Sequence, residues 1–368
     1  MSGARVLVVA YGGARKPSTR LRILQYLPAL ERIGFRFDQL FVPQGRGRQP
    51  INGLDEKLKS ADVVFVQRVL TRDLLGSLER SRKPVIFDID DALHMIRQSQ
   101  YPHAVMPRGL ADRGHNAYRT LVRGSRFYSS RKRLLDHMLD IATTTIVGNE
   151  WLFDELGLSE ERAVTLPTSV WLEDVPAKEH TQHQPLTVGW IGVRSNLYHL
   201  DALHDTFTGL RNRYSSGIEL NIVSSESART PLATRFTQWS LESESASVLS
   251  FDIGIMPLQD DPFSRGKCAF KAVFCMSRGV PVVASPVGAN VALIKHGENG
   301  WLAKSTDEWI EAISVLADDA GLRARMGRLA RATIEDRYSA TDVAVNLSEL
   351  LARAAGQVVP ALNDERTT

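Results

Sequence analysis

The stretch FDIGIMPLQDDPFSRGKCAFKAVFCMSRGVPVVASPVG, residues 251–288, contains two apolar runs on either side of a segment with helical spacing. The runs at 251–258 and 280–286 have the continuous apolar character of strands that are covered on both faces. Four apolar residues between the runs fall on one face of a helix: Ala269, Ala272, Val273 and Met276. A strand, a helix and a second strand in this order predict a parallel βαβ unit and an α/β fold.

The predicted helix also has a second face. Lys267, Lys271, Phe274 and Arg278 fall within a narrow stripe opposite the apolar residues. One interpretation is a solvated cationic face. The other is a binding site for an anion, because the helix follows a strand and its first turn offers free N–H groups.

Similar apolar runs recur along the chain with helical segments between them: 5–11, 62–68, 84–90, 143–149, 186–192 and 218–224. They predict two Rossmann-like, doubly wound units that face a cleft. A chain of 368 residues is too long for one ordinary core, which also favours two domains. The expected divisions are an N-terminal domain over 1–170, a linker over 171–186, a C-terminal domain over 187–338, a helix over 339–355 that crosses back to the first domain, and a loose tail over 356–368.

Composition limits the function classes and the location. The net charge is only +3, and no window reaches the roughly 18 apolar residues of a membrane span. Cys268 and Cys275 are seven residues apart on one predicted helix, too far for a disulfide, which fits a reducing compartment. We therefore expect a cytoplasmic protein, soluble or peripheral to a membrane.

The loops after the first strand of each unit are candidate sites. Gly12 and Gly13 let a ligand approach the backbone, although both could be ordinary turn residues, and Ser18 or Thr19 is expected to cap the next helix. In the second unit Arg194 follows the strand, with Ser195 or Asn196 as the expected cap. Neither loop contains G-x-G-x-x-G, which disfavours a nicotinamide or flavin enzyme.

Three cations of the second unit are expected at the same end of its sheet: Arg194, Lys267 and Lys271. Two helix N-termini are expected beside them. Such an arrangement suits a diphosphate.

The order of these motifs along the chain resembles that of the GT-B glycosyltransferases, in particular the family 4-like retaining enzymes that use nucleotide-sugar donors. PSTRLRILQYLPALERIGF (17–35) is similar to the first loop and helix of that family, and KPVIFDIDDALH (83–94) to its acceptor side. TVGWIGVRSNLYHLDAL (187–203) is similar to the opening of the donor domain. The block at 252–303 carries the G-x-P-V-V-A-S and H-G-x-N-G-x-L patterns in order.

The chain departs from the family at several positions. The family's Glu-x7-Glu motif, which contacts the donor sugar and the ribose, aligns with Gly266 and Phe274. Phenylalanine could only pack against the ribose or base. Asp90 stands where the family commonly has a histidine. The family's phosphate-binding pair is matched in part, by Arg194 and by Lys271 as a substitute.

The resemblance implies a site with two sides. The donor would be held by Gly12, Gly13, Arg194, Lys267, Lys271 and Phe274. The catalytic candidates are Asp90, Asp91 and Lys271, and the acceptor-binding candidates are Arg20, Arg22, Asp88 and His94. A nucleotide-diphosphate sugar would be the co-substrate, with no cofactor, no metal and retention of configuration. One of the clustered aspartates could instead cap the following helix.

A basic segment lies between Arg97 and Arg133. It contains nine Arg or Lys residues against the single acid Asp112, with four aromatic residues interleaved. The segment suits an anionic partner such as a lipid-linked acceptor, a phosphorylated glycan or the inner face of a membrane. Alternatively, the arginines pair with acids elsewhere. No nucleic-acid reading module accompanies the charge.

Three functions from different classes remain open. A glycosyltransferase that moves a sugar to a glycan, lipid-linked or other hydroxyl acceptor fits most of the motifs. A sugar-nucleotide epimerase of the same architecture should keep acid–base residues, and the missing glutamates count against it. A non-catalytic protein that binds a nucleotide sugar or assembles a glycosylation complex is supported by Gly266 and Phe274.

Overall fold

The computed structural model describes residues 3–43, 51–95, 130–173 and 175–358. These residues form two compact units. The first comprises the described residues up to Ser169 and those from Ala340 onward, and the second comprises Val170–Ser339. Each unit contains a six-stranded sheet in which all the strand pairs are parallel. The predicted α/β class with two Rossmann-like sheets is confirmed.

The sheet of the first unit has the order β2-β1-β3-β4-β5-β6. Its strands are β1 (Arg5–Tyr11), β2 (Arg36–Val42), β3 (Val63–Gln67), β4 (Val85–Ile89), β5 (Thr144–Val147) and β6 (Ala163–Thr165). The inner strands β3 and β4 are buried over their whole length, as expected for a parallel sheet that is covered on both faces. The strand order reverses between β1 and β3, where ligands of such sheets commonly bind.

Helices cover the sheet of the first unit. They are α1 (Pro17–Arg22), α2 (Leu27–Arg32), α3 (Leu54–Ser60), α4 (Arg72–Ser81), α5 (130–141 of the described chain) and α6 (Glu150–Glu155). The side chains of Thr71 and Asn149 accept the N–H groups of Leu74 and Leu152, and so cap α4 and α6. Ser18 and Thr19 do not cap α1, because α1 begins at Pro17 and both residues lie inside it.

The sheet of the second unit has the order β12-β11-β10-β7-β8-β9. Its strands are β7 (Leu186–Ile191), β8 (Ile218–Ser224), β9 (Thr234–Gln238), β10 (Ile253–Met256), β11 (Val282–Ala284) and β12 (Trp301–Leu302). Alternate residues of β7 enter two different apolar clusters: Val188 and Trp190 join one, and Ile191 joins the other. The sheet is therefore covered on both faces, and its order reverses between β7 and β10.

The helices of the second unit are α7 (His204–Tyr214), α8 (Glu244–Leu249), α9 (Pro262–Arg265), α10 (Phe270–Met276), α11 (Ala289–Leu293), α12 (Thr306–Asp318) and α13 (Ala320–Arg337). A 3₁₀ helix over Arg194–Leu203 follows β7. Its first turn is preceded by Val193, which makes no side-chain cap, so the predicted caps Ser195 and Asn196 are wrong. Ser305 and Glu308 form a capping box at α12.

The segment before β7 packs on the second unit. Lys178 Nζ lies 3.1 Å from Oδ1 of the fully buried Asp252, and His183 Nε2 lies 3.1 Å from Oδ2. The buried Arg323 donates to the carbonyls of Leu316 and Thr181. One guanidinium thus binds both the last turn of α12 and this segment.

The last helix, α14 (Ala340–Ala354), belongs to the first unit and packs against α2 and β4. Its buried side chains recur with helical spacing: Val343, Ala344, Leu347, Leu351 and Ala352.

The predicted basic helix face on α10 is wrong. Ala269 has a left-handed backbone (φ 51°), so α10 begins only at Phe270 and Lys267 precedes it. Arg278 follows α10 and is buried. The stripe inferred for one continuous helix is therefore distributed over a loop, a short helix and the turn after it.

Candidate functional site

The carboxyl ends of β1, β3 and β4 meet at one edge of the first sheet. Ala10, Gln67 and Asp88 lie side by side in register, so the residues that follow them share this edge. Gly12 and Gly13 continue from β1 with φ of 85° and 90°, values at which a side chain would be strained. The Gly12 N–H donates to Val42 O of β2, and the loop then turns into α1.

A buried ion pair lies below this edge. Arg22 Nε lies 3.1 and 3.2 Å from the carboxylate oxygens of Asp88, and Arg22 Nη1 donates to Leu166 O at 2.7 Å. Both side chains are almost completely buried. Burial raises the pKa of Asp88, and the Arg22 guanidinium opposes that rise. These two predicted acceptor ligands therefore bind each other in the interior, and their contact with an acceptor stays a prediction.

Arg68 brings two other carboxylates together at the edge. Its Nη1 lies 3.1 Å from Asp90 Oδ1 and 3.0 Å from Asp91 Oδ2. All three side chains are largely buried, with exposed fractions of 16%, 12% and 22%. Burial raises the pKa of Asp90 to about 6, and the neighbouring Asp91 adds to the rise while Arg68 opposes it.

Lys16 is a further charged residue at this edge. Its pKa is lowered by burial and by Arg68, whereas Asp91 and Asp90 raise it. Its ammonium also lies 5.8 Å from the ring centroid of Tyr11. Lys16, Arg68, Asp90 and Asp91 are called the edge cluster below.

Sequence reasoning found the two aspartates of the edge cluster and missed both cations. Arg68 directly follows the run VVFVQ and could have been found by applying to this strand the rule that ligands bind at the carboxyl ends of strands. There is less indication in the sequence that Lys16 belongs to the site, because Lys16 lies in a loop whose path could not be predicted.

Arg20 and His94 occupy different surroundings. Arg20 is half-buried in α1, one turn after Lys16. The His94 side chain is 5% exposed, with Nε2 3.8 Å from Glu155 Oε1, and burial lowers its pKa. The charged groups that act on His94 are on α5 and α6 rather than in the edge cluster.

In the second unit, Lys271 lies at the end of β7. A Cβ added to Gly192 would be 2.7 Å from Lys271 Cε and 2.7 Å from Trp190 Cη2, so the lysine chain and the indole close over this glycine. The Lys271 ammonium lies 5.8 Å from the Trp190 ring centroid, within cation–π range. Lys271 is thus held at the point where the strand order reverses.

The other predicted donor ligands lie around the same loops. Arg194 Nε lies 2.9 Å from Glu226 Oε2, and both side chains are exposed. The Lys267 ammonium lies 4.8 Å from the ring centroid of Phe263. To bind an anion, Arg194 or Lys267 would have to release its present contact or take the anion as an additional partner.

Phe274 is an interior residue. Its ring is 5.6 Å from that of Phe270, and the Arg278 guanidinium lies 3.7 Å above it. Arg278 also donates to Phe274 O and to Ser245 Oγ. Gly266 ends α9 and is buried. In this structure Arg278 covers Phe274, and the predicted contact of Phe274 with a donor stays a prediction.

Gly192→Ala tests how tightly the Lys271 site is packed. The new methyl group meets a rigid indole, so we expect the free energy of unfolding to fall by about 1–3 kcal/mol. Gly76→Ala in α4 is the matched control: its Cβ meets only the end of Arg80, and the variant should be as stable as the parent or more so. Equal denaturation midpoints for the parent and Gly192→Ala would contradict the packing.

The described residues contain neither a candidate metal site nor a candidate membrane span. Among the described residues, no cluster of His, Cys, Asp or Glu has three members placed to hold a metal ion. Within the same ranges, no helix has the length and apolar character to cross a bilayer. Of the basic segment 97–133, the structure describes only residues 130–133. The prediction that this segment binds an anionic partner therefore lies outside the described residues.

Solved structures match almost the whole chain at low sequence identity. Sucrose-phosphate synthase from Thermosynechococcus elongatus is 12% identical with a TM-score of 0.65, and the match covers 95% of this chain and 98% of that one. HepE from Anabaena, solved with UDP-glucose, has the same identity and score over 95% and 100% of the two chains. A glycosyltransferase from Rickettsia africae is 11% identical, with a TM-score of 0.64 over 96% and 99%.

The chain has the GT-B fold, the class to which these glycosyltransferases belong. Residues 185–319, in the second unit, match the family model of glycosyl transferases group 1. The resemblance inferred from the motifs is thereby confirmed. No curated protein sequence matches the chain.

Proposed function

We propose that the protein transfers a sugar from a nucleotide-diphosphate donor to a hydroxyl group of an acceptor. The principal support is the position of Lys271, which lies at the strand-order reversal of the unit that contains the glycosyl transferases group 1 segment. HepE, which has the same fold, was solved with UDP and with UDP-glucose. A uridine nucleotide sugar is therefore the first donor to test.

Lys271 would act on the leaving group. As the bond from sugar to diphosphate breaks, negative charge grows on the departing phosphate, and a cation held beside it stabilises the transition state. The indole and Gly192 fix the lysine before the donor binds, which reduces the rotational freedom that is lost on binding. Arg194 and Lys267 would join it by giving up their present contacts.

The edge cluster of the first unit would serve the acceptor. Asp90 and Asp91 carry lone pairs that can accept a hydrogen bond from the attacking hydroxyl group. In a retaining, front-face reaction the departing phosphate takes the acceptor proton, so no strong base on the protein is needed. We propose this course, without a metal or a cofactor.

The acceptor is proposed to be a glycan or a lipid-linked molecule. A mutant of Staphylococcus aureus TarM was solved with fondaparinux, α-GlcNAc-glycerol and UDP; it is 14% identical with a TM-score of 0.54, and the match covers 78% of this chain and 55% of that one. The basic segment 97–133 would suit an anionic head group. On this proposal the protein acts in polysaccharide biosynthesis, in the cytoplasm or at the inner face of a membrane.

A non-catalytic GT-B protein is the second candidate. Its support is the lack of a carboxylate at Gly266 and at Phe274, together with the burial of the phenylalanine under Arg278. Such a protein would bind a nucleotide sugar or assemble a glycosylation complex without turning the sugar over.

Nucleotide binding is tested by thermal denaturation with UDP, GDP, TDP and CDP. We expect one of them to raise the melting temperature, because a ligand at about 100 times its Kd stabilises the folded state by about 2.7 kcal/mol. The corresponding nucleoside is the control, since it lacks the phosphates that Lys271 would bind. No shift with any diphosphate, or an equal shift with the nucleoside, would contradict the proposed donor site.

Turnover separates the two candidates. A glycosyltransferase releases free nucleoside diphosphate faster when an acceptor is added, whereas a binding protein releases none. A pool of lipid-linked and free glycans with UDP-glucose as the donor is the starting assay.

A further inference from the structure

The backbone of Arg68 is unusual for its position. It follows β3 directly and has a φ of 59°, in the left-handed region that favours glycine. Its N–H donates to Asp88 O at 3.0 Å, which extends the β3–β4 ladder by one residue. Non-glycine residues with this conformation concentrate at functional sites, where the surrounding structure maintains them.

The side chain of Arg68 uses one nitrogen for two carboxylates. Nη1 is 3.1 Å from Asp90 Oδ1 and 3.0 Å from Asp91 Oδ2, so the two like charges converge on a single atom. Without a cation between them, two largely buried carboxylates at this spacing would repel each other, and one would take up a proton.

We propose that Arg68 is a positioning residue that holds the carboxylates of Asp90 and Asp91 side by side and keeps both charged, so that they accept hydrogen bonds from the acceptor hydroxyl group. The part of this inference that concerns the acceptor rests on the proposed function. The part that concerns the two carboxylates stands on the contacts of the edge cluster alone.

The charges around Asp90 support this role. Burial raises its pKa to about 6, which is low enough for the carboxyl group to be largely ionised at neutral pH. Asp91 and Asp88 favour its protonated form, while Arg68 and Arg22 favour its charged form. Among the described residues, Lys16 is a further charged group that interacts with Asp90. Among the described ion pairs, Arg68 is the cation that contacts Asp90, so its removal should raise the pKa of Asp90 toward neutral pH.

A titration without substrate tests the first part. The carboxyl carbons of the full-length protein are labelled with ¹³C at aspartate, and Asp90→Asn assigns the Asp90 signal. In Arg68→Gly we expect the Asp90 pKa to rise by about one pH unit or more. Arg68→Lys, which keeps the charge, should remain near the parent. Glycine accepts the backbone of residue 68, so the variant is expected to fold.

The pH dependence of turnover tests the second part. Because the active form has both carboxylates ionised, the parent's kcat/KM should fall as the pH drops through about 6. In Arg68→Gly the acidic limb of the kcat/KM profile should move to higher pH, by the same number of pH units as the Asp90 pKa measured by NMR. For a rise of one pH unit from about 6, the loss should therefore be about twofold at pH 7, approach tenfold at pH 5 and disappear by pH 9, and it should be largely restored by Arg68→Lys.

Arg82→Gly is the matched control. Arg82 has a similar φ of 54°, is exposed and caps the end of α4, away from the edge cluster. Its replacement by glycine should leave the titration and the pH profile unchanged.

Two results would overturn the inference: an unchanged Asp90 titration in Arg68→Gly, or a shifted titration with an unshifted pH profile. If the parent turns over no nucleotide sugar, the proposed function fails, and the titration alone decides whether Arg68 sets the charge of the pair.

Discussion

Lys271→Ala is expected to lower the turnover of the nucleotide sugar by about 100- to 1000-fold, the range found when one transition-state charge partner is removed. The reason is that Lys271 is held against Gly192 and Trp190, where the diphosphate would leave. Affinity for the nucleoside diphosphate should also fall, because the product carries much of the same charge. Steady-state rates and calorimetric titration with UDP measure the two effects.

Lys295→Ala is the matched control for this variant. Lys295 lies in the same unit, is 69% exposed and pairs only at the surface with Glu298, so its loss should leave turnover and UDP affinity unchanged. The melting temperature of Lys271→Ala should stay close to that of the parent, since the residue is half-buried and not part of the core. Turnover at the parent rate in Lys271→Ala would exclude the proposed donor mechanism.

Arg22→Ala is expected to produce the largest loss of stability. It removes the cation from a carboxylate that is almost completely buried, and breaking such a pair typically costs about 3–5 kcal/mol. The Leu166 carbonyl would also lose the Arg22 donor. Denaturant unfolding followed by circular dichroism measures the change, with the surface residue Arg80 (Arg80→Ala) as the control.

The pH dependence of that loss identifies its cause. The folded-state pKa of Asp88 is raised, so this group favours folding at low pH and its contribution is lost as the pH rises through the folded pKa. Without Arg22 the pKa should rise further. The destabilisation should therefore be larger at pH 8 than at pH 5, and Arg22→Met combined with Asp88→Asn should recover part of it. A loss independent of pH would indicate that packing, not the unpaired charge, is responsible.

The inner strands could be predicted from the sequence, and the outermost strands could not. The apolar runs correspond to β1, β3, β4, β5, β7, β8, β10 and β11. The missed strands β2, β6, β9 and β12 are the edges of the two sheets. An edge strand has a neighbour on one side only, and β9 has an almost fully exposed pattern, so the continuous apolar signal is absent.

The candidate site was predictable where a residue follows a strand directly. Asp90 and Asp91 were selected through the family resemblance of the segment that ends β4, and their contacts with Arg68 follow from the parallel register of β3 and β4. The prediction of a basic stripe on one helix was wrong because nothing in the local sequence indicates that Ala269 has a left-handed backbone conformation. Likewise, the sequence does not show that Arg22 and Asp88, 66 residues apart, pair in the interior.

The contacts of Lys178, Thr181 and His183 have a practical consequence for dividing the protein. The family match starts at residue 185, yet a fragment begun there would lose both basic partners of the buried Asp252 and one carbonyl acceptor of the buried Arg323. Val170 also donates to Tyr338 O, which ties the two ends of the second unit together. Recombinant expression of that unit alone should accordingly span Val170–Ser339.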